Sequence, residues 1–152
     1  HRRHLLEQGA LAPVLERFGW QVELDRLVPW AHWCPPADGA FDTRFFLADL
    51  GTGSVDLTPD LGENTRLFWA SARDALAMIE TGEIKAIYPT RRNLERLAQY
   101  GSFDEAKAHA REAPVGTVSP WVENVDGIDM LRIPDGLGYP VTIAPLSQIH
   151  IS

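Results

Sequence analysis

The sequence predicts one domain of mixed α/β (α+β) architecture over residues 1–152. Two observations predict it. Hydrophobic residues make up 45% of the 152 residues, which is enough for one core in a chain of this length. Segments with helical periodicity alternate with short extended segments in the order helix, strands, helix, strand, two helices, strands. This order is typical of helices layered on a sheet.

The N-terminal third predicts a helix and a strand. Apolar residues recur at helical spacing within His4–Phe18, which fits either one interrupted helix or a turn followed by a helix from about Ala12. Gly19 is expected to end the helix. The apolar stretch Leu24–Trp33 predicts a strand that loses sheet hydrogen bonds at Pro29.

The segment Phe41–Leu50 predicts a second strand, because it is rich in Phe and Leu and is followed by glycines. Side chains alternate between the two faces of a strand. Asp42 and Arg44 are therefore expected on one face, and Thr43 and Phe45 on the other.

Capping residues predict three helices between residues 71 and 112. The candidate caps are Ser71, Thr90 and Ser102, each of which precedes an apolar pattern with helical spacing. Asp74 and Glu105 follow the first and the third cap by three positions, where an acidic residue strengthens a helix start.

Further extended segments are predicted around these helices, at Thr65–Ala70, Ile84–Tyr88, Thr117–Val122 and Ile128–Ile133. The last two are joined by the turn-forming sequence 124–127. After Pro134 the chain is rich in Gly and Pro, and we expect it to wrap over the surface.

Composition excludes several classes of function. The net charge of −7 disfavours a nucleic-acid partner, because phosphate backbones require clustered Lys and Arg. No apolar run reaches the roughly 20 residues that span a bilayer, and no secretory signal is visible. The single cysteine, Cys34, fits a reducing compartment. We therefore predict a cytoplasmic protein without nucleic-acid or membrane partners, and a homodimer is left open.

Several residues with reactive or aromatic side chains are assigned to packing. His32 has the chemistry of a general base, but sequence spacing shows it no nucleophile or carboxylate partner, so a packed or surface histidine is favoured. Cys34 is expected to be a small buried hydrophobe. We expect most tryptophans in the core, and we expect Arg91 and Arg92 in solvent at a helix start.

Four phrases in order, together with the sequence after Asp126, resemble one family. The phrases are Trp30-Ala31-His32-Trp33-Cys34-Pro35-Pro36, then Phe41-Asp42-Thr43-Arg44-Phe45-Phe46, then Glu63 followed by Trp69–Leu76, then Gly82-Glu83-Ile84 leading to Tyr88-Pro89-Thr90. The set resembles Nudix hydrolases of the coenzyme A diphosphatase type and their bacterial relatives. The resemblance covers about Gly19 to Pro140.

The resemblance implies a mixed sheet sandwiched between helices and a hydrolase that uses Mg²⁺ or Mn²⁺ to split a diphosphate, with coenzyme A or an acyl-CoA as substrate. The family's metal ligands lie in a Nudix box with the core Arg-Glu-x-x-Glu-Glu, which this sequence lacks. In the family the box would precede His1. We therefore expect a Nudix-type domain without its N-terminal part, inactive by itself.

The resemblance also implies site residues. Glu63 matches a late-loop acid that approaches the metal or the attacking water, so it is the predicted catalytic and metal-binding residue. Arg44 and Asp42 are the predicted substrate-binding residues, since a planar guanidinium can bind two diphosphate oxygens. An ion pair between Asp42 and Arg44 that serves only structure is the alternative.

Three functions therefore remain open on the sequence. The first is the metal-dependent hydrolase just described. The second is a non-catalytic, Nudix-derived domain that binds a ligand or a partner. The third is an unrelated α/β domain whose phrases match by chance, because one fold hosts many functions.

Overall fold

The computed structural model describes residues 10–36, 41–51, 67–113 and 115–149. In these residues it contains four α-helices and two three-stranded sheets, which confirms the α+β class. The helices are α1 (Leu11–Phe18), α2 (Ala72–Glu80), α3 (Tyr88–Leu97) and α4 (Phe103–Glu112). The strands are β1 (Leu27–Trp33), β2 (Thr43–Ala48), β3 (Thr117–Val118), β4 (Trp121–Val125), β5 (Ile128–Arg132) and β6 (Ile143–Pro145). Short 3₁₀ helices occupy Leu24–Arg26 and Leu146–Gln148.

The first sheet has the strand order β2-β1-β3 and is mixed, since β1 is antiparallel to β2 and parallel to β3. The second sheet, β4-β5-β6, is antiparallel. The predicted hairpin is present, but its first strand is Trp121–Val125 rather than Thr117–Val122, and Thr117–Val118 belongs to the first sheet. The turn residues Asp126 and Gly127 have φ of 52° and 84°, the backbone that two-residue hairpin turns require.

Three predicted helix ends are confirmed. Gly19 ends α1 in the left-handed conformation, with φ of 63°. The Ser71 hydroxyl accepts a hydrogen bond from the Asp74 backbone N–H at 3.1 Å, and the Ser102 hydroxyl accepts one from the Glu105 backbone N–H at 3.2 Å. Each side chain replaces a missing intrahelical acceptor.

Two predicted strands are wrong in the described residues. Residues 67–70 have no regular structure, and residues 65–66 lie outside the described residues. Residues 84–87 form no strand, because they lead directly into α3, which begins at Tyr88. Ile87 is the N-cap of this helix, so the predicted cap at Thr90 is wrong too. Pro89 lies in the first turn of α3. Its fixed φ suits a helix start, where no donor is needed.

Strand β1 places its large side chains in the core. Val28, Trp30, Ala31 and Trp33 are buried. The register with β2 shifts between Pro29 and Ala31, as expected where a proline interrupts the hydrogen bonds of a strand. The shift lets the adjacent residues Trp30 and Ala31 both be buried.

Helix α3 turns polar side chains into the core, which corrects two predictions. Its buried residues are Tyr88, Arg92, Asn93 and Arg96. The apolar pattern predicted after Thr90, which consists of Leu94, Leu97 and Ala98, is only half-buried. Arg92 was predicted to lie in solvent, but it is only 4% exposed. Burial lowers the pKa of Arg92, and the charge of Glu95 opposes that effect. An Arg92 nitrogen lies 3.0 Å from a carboxylate oxygen of Glu95.

The guanidinium of Arg96 is enclosed by two aromatic rings. Its central carbon lies 4.0 Å from the centroid of the Trp30 ring and 5.5 Å from that of Tyr139. It donates a hydrogen bond to the Trp30 carbonyl at 2.7 Å. Within the part of the chain that the structure describes, no carboxylate pairs with Arg96. Ring faces and a carbonyl therefore compensate the burial of its charge.

The segment after Pro134 enters the core rather than only wrapping over the surface. Tyr139 is 8% exposed. Its hydroxyl accepts a hydrogen bond from Trp33 Nε1 at 2.9 Å and donates one to Asn93 Oδ1 at 3.1 Å. One phenol thus connects β1, α3 and the C-terminal segment.

The prediction that most tryptophans are core residues is wrong. Trp30 and Trp33 are 3% and 1% exposed, whereas Trp20, Trp69 and Trp121 are 48%, 66% and 42% exposed. A large apolar residue in a strand or helix pattern is buried only if another element covers that face.

Replacing Tyr139 with Phe is expected to lower the free energy of unfolding by about 1–3 kcal/mol, because buried Trp33 and Asn93 each lose a partner. Tyr88→Phe is the matched control. The Tyr88 hydroxyl is buried without a partner among the described residues, so its loss should leave stability unchanged or slightly raised. Urea unfolding measures the free energy of unfolding of the two variants. An equal loss in both would contradict the hydrogen bonds assigned to the Tyr139 hydroxyl.

Stability is also expected to fall at alkaline pH. Burial raises the pKa of Tyr88 and of Tyr139 above the ordinary value. The unfolded tyrosines lose their protons near pH ~10, while the folded protein still holds them. This contribution to stability is complete below pH ~10 and is lost as the pH rises through the folded values. The urea concentration at the unfolding midpoint should therefore decline as the pH rises. The decline should be less steep in Tyr88→Phe than in the unmodified protein.

Candidate functional site

A cleft of about 630 Å³ lies between the first sheet, the start of α3 and the β4–β5 hairpin. Aromatic rings form much of its wall: Trp33, Phe41, Phe45, Tyr88 and Trp121. Every described residue that lines it is uncharged. Its volume lies in the range of small-molecule sites, about 300–1,000 Å³.

Strand alternation and ring packing build this cleft. Thr43 and Phe45 point from β2 towards it, on the face predicted from the sequence. Trp33 meets Tyr88 edge-on, with ring centroids 6.0 Å apart and planes at 81°, a favoured aromatic geometry. Trp33 is also held by a hydrogen bond from its Nε1 to the Tyr139 hydroxyl, which fixes the position of its ring in this wall.

The cleft brings together three of the phrases that resemble Nudix hydrolases. Trp33, Pro35 and Pro36 come from the first phrase, Phe41, Thr43 and Phe45 from the second, and Tyr88 and Pro89 from the fourth. These segments are separated in sequence but line one surface. The cleft can hold an apolar or aromatic group, and Thr43 contributes a hydroxyl-bearing side chain to its described lining.

The opposite face of the first sheet carries a polar row. Arg44 on β2 and Thr117 on β3 are each paired in register with His32 on β1. Paired residues point to the same face with Cβ atoms about 4.5–5.5 Å apart in an antiparallel pair. Asp42, two positions before Arg44, lies beside this row.

His32 is hydrogen-bonded at both ring nitrogens. Its Nε2 lies 2.5 Å from Asp42 Oδ1, and its Nδ1 lies 3.1 Å from Thr117 Oγ1. The His32 side chain is 16% exposed and that of Asp42 is 56% exposed. Sequence spacing had shown no partner for His32, because these partners are 10 and 85 positions away and only sheet pairing brings them close.

The predicted ion pair between Asp42 and Arg44 does not form within the described residues, since Asp42 is bonded to His32 instead. Neither Asp42 nor Arg44 lines the cleft. They lie on the other face of β2, because alternate residues of a strand point in opposite directions. A role for them in substrate binding stays a prediction.

Glu63, the predicted catalytic and metal-binding residue, lies outside the described residues. Among the residues that are described, no group of three or more His, Cys, Asp or Glu side chains could hold a metal ion. Cys34 is a free thiol, half-buried rather than fully buried as expected.

Of the helices in the described ranges, none is long and apolar enough to cross a membrane.

Comparison of this chain with protein-family models, with curated proteins and with solved structures finds no match.

Proposed function

We propose that this chain forms the substrate-binding half of a Nudix-type, metal-dependent hydrolase that splits the diphosphate of a nucleoside diphosphate-linked compound, with coenzyme A or an acyl-CoA as substrate. One observation carries the proposal. Three separate phrases that resemble the coenzyme A diphosphatase branch of the family line the same cleft.

The cleft suits the uncharged part of such a substrate. Its described lining has aromatic rings and prolines but no charged side chain. Burying apolar surface there is favourable by roughly 25 cal/mol per Å², whereas a phosphate would lose its hydration without gaining a cation. We therefore assign the cleft to an aliphatic chain or a ring of the substrate, not to its phosphates.

The phosphates need cations from elsewhere. In this proposal the substrate passes the edge of β2, the outer strand of the described sheet, so that Arg44 on the opposite face binds diphosphate oxygens. Glu63 belongs to a Mg²⁺ or Mn²⁺ site completed by the carboxylates of a Nudix box that is not in this sequence. In this proposal the part of the described residues in the reaction is to bind and orient the substrate.

The intact protein that carries this sequence should be assayed with coenzyme A, an acyl-CoA and ADP-ribose, with Mg²⁺ or Mn²⁺. Chromatography identifies the products, and cleavage into two products that each keep one phosphate of the diphosphate supports the proposal. Tight binding of a coenzyme A compound without cleavage supports the alternative of a non-catalytic Nudix-derived domain. If the protein neither binds nor cleaves these compounds, the hydrolase and the non-catalytic alternative are both overturned.

Phe41→Ala should weaken substrate binding by about tenfold, because the loss of one apolar aromatic contact costs on the order of 1.5 kcal/mol. Phe46→Ala is the matched control. Phe46 is 48% exposed and lies on the other face of β2, outside the cleft lining. KM or the dissociation constant of an acyl-CoA measures the effect, and equal effects of the two variants would place the ligand elsewhere.

Arg44→Met should raise KM by about tenfold or more if the guanidinium binds the diphosphate, since a charge-assisted hydrogen bond contributes about 1.5–3 kcal/mol. Arg26→Met is the control, because Arg26 is an exposed arginine whose partner is Glu23. An unchanged KM in Arg44→Met would remove Arg44 from the site.

A further inference from the structure

Three side chains on the face opposite the cleft form a connected chain of hydrogen bonds. Asp42 is bonded to His32 Nε2, and Thr117 to His32 Nδ1. The three residues come from three segments, and the pairing of β1 with β2 and with β3 fixes their positions. A hydroxyl, an imidazole and a carboxylate in series are the groups of nucleophilic catalysis.

The charge of Asp42 determines which way these hydrogen bonds run. An ionised carboxylate can only accept a hydrogen bond, so Nε2 of His32 carries the ring proton and donates it. In the neutral imidazole Nδ1 then holds a lone pair and accepts from the Thr117 hydroxyl. The hydroxyl proton therefore already points at a base, as activation of a nucleophile requires.

We propose that Thr117 is a nucleophilic residue that takes an acyl group from an activated ester, with His32 as its general base and Asp42 as the positioning residue. The proposal needs no metal ion and no group in the cleft. It shares only Arg44 with the hydrolase proposed above, so variants of Thr117, His32 and Asp42 test it separately.

The step balances as an acyl transfer. Thr117 Oγ1 attacks the ester carbonyl carbon while its proton passes to His32 Nδ1. The tetrahedral intermediate expels the alcohol, which leaves with that proton or as a free anion if it is a phenolate. An acyl-threonine remains. Water then attacks this ester, again losing its proton to His32, and releases the carboxylic acid with regeneration of Thr117.

Two features of the surroundings support this chemistry. Thr117 is exposed, so a small ester can reach its hydroxyl without any movement of the fold. Arg44 is paired with His32 in the adjacent strand and places a positive charge on the same face. It is two strands away from Thr117, so it acts on the negative charge of the carbonyl oxygen over about 10 Å. Because the surface around Thr117 is open, we expect the site to accept small esters with little selectivity.

The test uses the intact protein with p-nitrophenyl acetate. Release of p-nitrophenolate is followed by absorbance, and peptide mass spectrometry locates the acetyl group. We expect acetylation at Thr117. Both the label and the rate of the first turnover should fall about 100-fold in Thr117→Val and in His32→Asn, within the range that general-base catalysis supplies.

Two further variants separate positioning from structure. Asp42→Asn should slow acetylation, because an amide can no longer fix the histidine tautomer, and Asp42→Glu should restore part of the rate. Thr117→Ser should still be labelled at position 117, which covers the case in which Thr117→Val does not fold.

Thr90→Val is the matched control. Thr90 is an exposed threonine without a histidine partner among the described residues, so its loss should leave the rate unchanged. Acetylation confined to Lys85, Lys107 or another amine would overturn the proposal. So would a rate in His32→Asn equal to that of the unmodified protein.

Discussion

The buried guanidinium of Arg96 is the constraint on which the fold of the described residues depends. It lies between the rings of Trp30 and Tyr139 and donates to the Trp30 carbonyl. It thereby joins α3, the central strand of the mixed sheet and the C-terminal segment at one point. A buried charge is costly unless it is compensated, so the two rings and the carbonyl must be in place together. Gly138 belongs to the same constraint, because a Cβ atom there would lie 3.0 Å from Arg96 Nε.

The candidate cleft depends on this polar core. Tyr139, held beside Arg96, also bonds to Trp33 Nε1, and Trp33 forms a wall of the cleft. The ring of Trp33 is 1% exposed and packs edge-on against both Tyr88 and Tyr139. The shape of an apolar surface is therefore set by hydrogen bonds and cation–π contacts behind it.

The two faces of the mixed sheet have different chemistry because consecutive strand residues point in opposite directions. Thr43 and Phe45 line an uncharged cleft, whereas Asp42 and Arg44 lie with His32 on a charged face. The apolar face suits the uncharged part of a ligand, and the polar face suits proton transfer and anion binding. The proposed hydrolase and the proposed acyl transfer share Arg44. They are distinguishable because only the hydrolase uses the cleft and a metal ion, and only the acyl transfer uses Thr117 and His32.

The sequence by itself determined the features that depend on neighbouring residues: the α+β class, the serine caps of α2 and α4, the end of α1 at Gly19, and the turn at Asp126 and Gly127. The caps, the helix end and the turn are each set by hydrogen bonds or backbone angles within about four positions, and the class follows from the order of the elements. Only the tertiary structure decided which face of α3 is buried and which partners His32 has. The rings around Arg96 and the bonds of His32 to Asp42 and Thr117 come from distant segments. The periodicity of apolar residues along the sequence predicts that the buried face of a helix is apolar. It cannot show that aromatic rings and a carbonyl elsewhere in the chain will compensate a buried charge.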